Sequence, residues 1–164
     1  MLITITGMPG AGKSTIAKAL SENLGLRRIY AGQILRDNAK LKDMDINTYL
    51  DYLEDHQEEE MAIDKKLQQI GLSQDNALIE SRVAFHFLPE SIKIYIDVNF
   101  EQGVRRIFEA NEEKTERNEK EQHTFEEALA YHKQRLESEY RRYKNLYNID
   151  IADKSQFDIV MDTT

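Results

Sequence analysis

Lys13 and Ser14 close the stretch Gly7, Met8, Pro9, Gly10, Ala11 and Gly12, which follows the apolar run LITIT. Together they satisfy the spacing G-x-x-x-x-G-K-[ST] between a strand-like and a helix-like segment. A polyphosphate needs many donors pointing inward at once. Backbone N–H groups in a glycine loop supply them, because side chains would block the approach. A helix starting near Lys13 adds its N-terminal dipole. Lys13 then reaches the β- and γ-phosphates as a point charge, and the Ser14 hydroxyl suits a magnesium ion. The stretch, continued by Thr15, predicts binding of a nucleoside triphosphate with Mg2+. It leaves open whether the γ-phosphoryl group goes to water or to an acceptor.

Positioning that loop requires strands alternating with helices. Short apolar strands are expected at Leu2–Thr6, Arg27–Tyr30, 77–80, 92–98 and 157–161. The first helix carries Ile16, Leu20 and Leu24 on one face and stops at Gly25. Ala31–Asp43 reads as a helix, and residues 45–70 as one or two more. Asn99 and Gln102 form a candidate capping box for a helix carrying Val104, Ile107 and Phe108. Residues 111–122 are a charge run without apolar anchors. A long helix over 125–147 carries Phe125, Leu129, Leu136, Tyr140, Tyr143 and Tyr147 as a stripe. The tyrosines read as packing against the sheet, with Tyr30 beside the acceptor loop. Apolar strands alternating with helices predict an α/β three-layer fold with a five-stranded parallel sheet covered on both faces.

The bulk composition narrows the function classes. The chain has 164 residues, no cysteine and a net charge of −8, which excludes disulfide frameworks and thiol chemistry and disfavours broad nucleic-acid binding. No run approaches the length of a membrane span. The expectation is a cytoplasmic protein with small-molecule nucleotide partners, no nucleic acid, no membrane, and a monomer or weak homodimer. The four histidines show no metal spacing. A switch GTPase would carry N-K-x-D, which is lacking here. A motor or AAA ATPase would be longer and would end an apolar strand in paired acids, whereas ALIES holds only Glu80. Small size, helical excursions and many arginines instead suit a small-molecule kinase, which must hold two anions together and exclude water.

The segments RIYAGQILRDNAK, IESR (79–82), RRYKNLYNID (141–150) and FDIVMDT (157–163) give the chain a resemblance to cytidylate kinases of the archaeal type. These belong to the nucleoside monophosphate kinase family of P-loop kinases. The resemblance covers most of the chain, in the family's order. It implies that Gly32 and Arg36 lie at the acceptor nucleotide, with Arg36 and Arg82 on its phosphate. Glu80 is implied near the magnesium waters with Ser14, and Asp64 as a reader of the base. Gln33 and Ser81 stand where the family has an acid and a glycine. Helical residues 38–72 are expected to bind the acceptor, and residues 109–145 to form a lid, within one domain over 1–164.

Arg135, Glu139 and Arg142 are spaced i, i+4, i+7, which puts them on one helix face. The resemblance implies that Arg135 and Arg142 contact the transferring phosphoryl group, braced by Glu139. Arg117 is implied as a third, at the start of the lid on the ATP side. The expected reaction is ATP-dependent phosphorylation of CMP or dCMP. A kinase for AMP, UMP or a shikimate-like acceptor, and a nucleotide-binding regulator with little turnover, remain as alternatives.

Overall fold

The structure is a computed structural model and describes residues 1–112 and 122–164. Five strands form one parallel sheet: β1 (Leu2–Gly7), β2 (Arg27–Tyr30), β3 (Ala77–Glu80), β4 (Ile92–Asp97) and β5 (Ile159–Asp162), in the order β2-β3-β1-β4-β5. Around it run α1 (Lys13–Leu24), α2 (Ala31–Leu41), α3 (Ile46–Asp55), α4 (Gln57–Leu72), a single turn α5 (Ala84–Phe87), α6 (Phe100–Glu112) and α7 (Phe125–Tyr147). Among the described residues, no helix is long and apolar enough to cross a membrane.

β1 lies at the centre of the sheet and is buried along nearly its whole length. Ile5 is fully buried, as are Ile79 of β3 and Ile96 of β4. Each such side chain contributes roughly 2 kcal/mol of burial, which fixes the register. Ile5 lies beside Glu80, and Gly7 beside Ile96. The chain order around β1 reverses there, so a crevice opens at the carboxyl ends of β1 and β3. The glycine loop, Tyr30 and Glu80–Arg82 all emerge at that edge.

Local chemistry sets the helix ends. Gly25 stops α1 at φ 62°. Asp45 caps α3 by accepting from the Asn47 and Thr48 amides at 2.8 and 3.0 Å. Thr124 caps α7 by accepting from the Glu127 amide, while Glu127 reaches back to the His123 amide at 2.9 Å. Asn99 accepts from the Gln102 amide at 3.2 Å, one half of the box expected there.

Residues 45–70 form two helices, the larger of the two numbers expected, and divide at His56, which leaves helical geometry at φ −126°, ψ 59°. Two expectations shift. The last strand starts at Ile159 rather than 157, because Phe157 turns inward against Phe85 and Tyr95, with ring centroids 4.6 and 5.1 Å away. The sheet is not covered everywhere either. β5 pairs on one side only, with β4, and leaves Ile159, Val160 and Met161 exposed.

Candidate active site

The glycine loop is shaped by close backbone approach. A Cβ on Gly10 would meet the Gly103 carbonyl oxygen at 1.9 Å, so the loop packs directly on α6. Gly12 has φ +79°, a conformation L side chains rarely adopt. Thr163, just past β5, supports the loop from below, its hydroxyl 3.1 Å from the Ala11 carbonyl. Ala11 is itself buried. The amides of Gly10, Gly12, Lys13 and Ser14 find no acceptor among the described residues, as expected of a helix N-terminus that awaits an anion.

Lys13 curls across this loop and donates to the carbonyls of Gly7 and Met8 at 3.0 and 2.6 Å. Burial, reinforced by the Arg82 charge, lowers its ammonium pKa to about 7; Glu139 and Glu80 oppose the shift. Ser14 donates to Glu80 Oε1 at 2.5 Å. The other Glu80 oxygen pairs with Arg28 at 2.7 Å. Glu80 is almost fully buried and is thereby fixed at the loop's edge. One hydroxyl and one carboxylate suit magnesium, which keeps several waters and takes its other ligands from phosphate. Among the described residues, no cluster of three or more metal-ligating side chains stands there.

The arginines come from other elements. Arg82, after β3, donates to the Gly7 carbonyl and pairs through Nε with Glu139 of α7 at 2.8 Å. Arg135 lies one turn away on α7, 3.5 Å from the other Glu139 oxygen. Burial alone would raise the Glu139 carboxyl, yet Arg82, Arg135, Arg142 and Lys13 together hold it below the usual carboxylate range. Arg36 of α2 donates to the Tyr30 hydroxyl at 3.2 Å and to the Gly32 carbonyl at 3.1 Å. Tyr30 therefore positions an arginine in addition to standing beside the loop.

These groups face one cleft of about 840 Å3. It brings together Pro9, Gly10, Gly12, Lys13, Ser14 and Thr15 with Gly32, Arg36, Asp64, Glu80, Arg82, Arg135 and Arg142. Gly7, Met8 and Ala11 support the loop from behind, and Arg117 lies outside the described residues. Arg142 turns away from the loop. It pairs with Glu60 of α4 at 3.6 Å and donates to the Leu50 carbonyl at 3.3 Å. Asp64, one turn beyond Glu60, accepts from the Tyr147 hydroxyl at 2.8 Å. Burial raises the Asp64 carboxyl to about 7; the Tyr147 bond opposes this and the Glu60 charge adds to it. Tyr147 thus holds Asp64 in place, whereas Tyr143 packs in the core with Val83 and Tyr95, as the stripe predicts, and also lines the cleft.

Sequence reasoning missed Arg28 and Glu60. Arg28 had no motif to mark it. Glu60 did leave a signal: Glu60, Ile63, Asp64 and Leu67 form the buried face of α4, so a carboxylate stands at an apolar-periodic position.

A family model described as an AAA domain matches residues 3–126. A cytidylate kinase of Methanocaldococcus jannaschii is 37% identical over 166 residues, spanning 100% of this chain and 89% of its own. One from Methanosarcina barkeri is 36% identical, spanning 99% and 87%. Among solved structures, an uncharacterized protein from Eubacterium ventriosum aligns with a TM-score of 0.66 at 18% identity, over 99% of this chain and 88% of the other. Shikimate kinase from Bacteroides thetaiotaomicron aligns with a TM-score of 0.60 at 16% identity, over 99% and 85%. At that identity the two structures bear on the fold alone, a parallel sheet with helices on its faces.

Phosphate binding favours the charged form of Lys13 and so raises its pKa. ATP binding at about pH 8 is expected to take up close to one proton, and clearly less at about pH 6. Calorimetry in buffers of different ionisation enthalpy measures it; no uptake at the higher pH would mean that Lys13 is already charged in the free protein.

Proposed function

The chain belongs to the cytidylate kinase family, on a P-loop domain of the AAA type, and we propose that it transfers the γ-phosphoryl group of ATP to CMP or dCMP. The reading rests on one observation above others. Lys13, Arg82 and Arg135, from three different elements, converge on one cleft with Arg36 across from them. The cytidylate kinases named above match the chain along its whole length.

In this reading an oxygen of the acceptor phosphate attacks the γ-phosphorus in line. The new P–O bond forms as the bond to the leaving ADP oxygen breaks. No separate general base is required, because the attacking oxygen is already anionic at neutral pH. The loop amides and Lys13 hold the triphosphate. Arg36 and Arg82 hold the acceptor phosphate, for which paired guanidinium donors are well matched. Arg135 offsets charge on the equatorial oxygens of the transferring group. Magnesium, at the Ser14 hydroxyl with Glu80 beside its waters, would neutralise phosphate charge. In this reading residues 38–72 are the acceptor subdomain and residues 109–145 the lid, of which 113–121 lie outside the described residues. A cytoplasmic setting, which suits a chain without cysteine, and a monomer or weak homodimer complete the proposal.

ADP release from ATP and magnesium is to be measured with CMP, dCMP, UMP, AMP, GMP, shikimate and no acceptor. Turnover highest with CMP or dCMP is expected; turnover only with another acceptor sinks the assignment. In the same assay Arg36→Ala is expected to raise the KM for the acceptor by at least about tenfold with little change in the KM for ATP. An unchanged acceptor KM would remove Arg36 from that site.

A further inference from the structure

Arg36 enters the cleft with one nitrogen already spent. Its Nη1 donates to the Tyr30 hydroxyl at 3.2 Å and to the Gly32 carbonyl at 3.1 Å. Tyr30 is more than an acceptor in this pair. A phenol that receives one hydrogen still has its own to give. The Tyr30 O–H donates to no acceptor among the described residues. Strand pairing sets Tyr30 beside Glu80, but the Glu80 oxygens are turned to Ser14 and Arg28. Tyr30 lines the cleft, so its unspent hydrogen stands where a substrate can take it.

The packing around the ring holds it in place. The ring folds back over the first turn of α2, where a Cβ on Gly32 would lie 2.6 Å from the Tyr30 hydroxyl oxygen. Glycine at this position leaves that path open. The guanidinium carbons of Arg28 and Arg36 each stand 5.7 Å from the ring centroid, close enough to be drawn to its face. No acid occupies the first turn of α2, and Tyr30 makes no side-chain cap there. This helix end therefore offers the hydroxyl no carboxylate.

Accepting from a guanidinium polarises the phenol and strengthens the bond it donates. An anion gains most from such a donor. Resting on the kinase reading, in which Arg36 and Arg82 hold the acceptor phosphate, we infer that Tyr30 is a third binding group for that phosphate. Its O–H donates to an oxygen that does not attack, since the attacking oxygen needs its lone pair for phosphorus. The hydroxyl extends the reach of Arg36: the hydrogen bond that Nη1 makes inside the protein is passed outward to the substrate, with no proton transferred. Being neutral, it adds a donor without adding to the positive charge around Lys13.

The test measures the KM for CMP and for dCMP in wild-type protein and in Tyr30→Phe, which keeps the ring and removes the hydroxyl. The acceptor KM is expected to rise at least about fivefold for both nucleotides, with the KM for ATP unchanged. An unchanged acceptor KM overturns the inference. A rise for CMP alone places the hydroxyl on the ribose and overturns it as well. So does an equal rise in the KM for ATP, the mark of a merely structural role. A second comparison separates contact from positioning. In an Arg36→Met background, Tyr30→Phe is expected to raise the acceptor KM again, by at least about twofold. No further rise there would mean that Tyr30 acts only through Arg36, against the inference. If the wild-type protein phosphorylates a different nucleoside monophosphate, the cytidylate assignment falls, and the same comparison decides the inference on that acceptor's phosphate. Failure with every phosphate acceptor removes the kinase reading, and this inference with it.

Discussion

The buried Glu139 carboxylate is the constraint on which the cleft depends. Arg82, Arg135, Arg142 and Lys13 come from three separate elements and carry like charge in a poorly solvated space. Without a negative centre they would repel one another and turn toward solvent. Glu139 is that centre, and all four charges act on it. It lies on α7, so the long helix brings the counter-charge as well as two of the arginines. Even with Glu139 present, burial and the Arg82 charge hold the Lys13 ammonium pKa down to about 7.

The sheet makes that convergence possible. Parallel pairing of β1 with β3 and β4 brings the glycine loop and the Glu80–Arg82 segment out at the same edge. Arg28 and Ser14 then clamp Glu80 from opposite sides. Lys13, Ser14 and Glu80 stand at the end of the cleft nearest the sheet. Farther out, α4 and α7 pack against each other through Arg142–Glu60 and Tyr147–Asp64. Two polar regions thus share one cleft. The inner one gathers Lys13, Arg82 and Arg135 around Glu139. The outer one sets Arg142 beside Glu60, with Asp64 one turn further along α4.

Much of this was legible in the sequence, for local reasons. The glycine loop announces itself because its chemistry demands particular residue types at fixed spacing. β3 appears where a short apolar run stands after the turn-forming residues 73–76. The i, i+4, i+7 spacing put Arg135, Glu139 and Arg142 on one face, as the helix has them. What spacing could not reveal was direction. Arg142 turns toward α4 because Leu50 and Glu60, about 90 residues earlier in the chain, meet it there. Arg28 is drawn in by an ion pair with Glu80, two residues along β3 from its register partner Leu78. Glu60 was hidden in a run of acids, QEEE, that reads as first-turn helix chemistry. The break at His56 has no glycine or proline to mark it. Tertiary contacts decide each of these.

Thermal unfolding of Glu139→Gln, with and without ATP and magnesium, tests the central claim most directly. If Glu139 holds the cations together until phosphates arrive, the variant melts lower than wild-type protein in the absence of nucleotide. ATP then supplies the missing negative charge, and the melting temperature rises by more than it does in wild type. A variant that melts like wild type without nucleotide, and gains no more from ATP, would contradict the account.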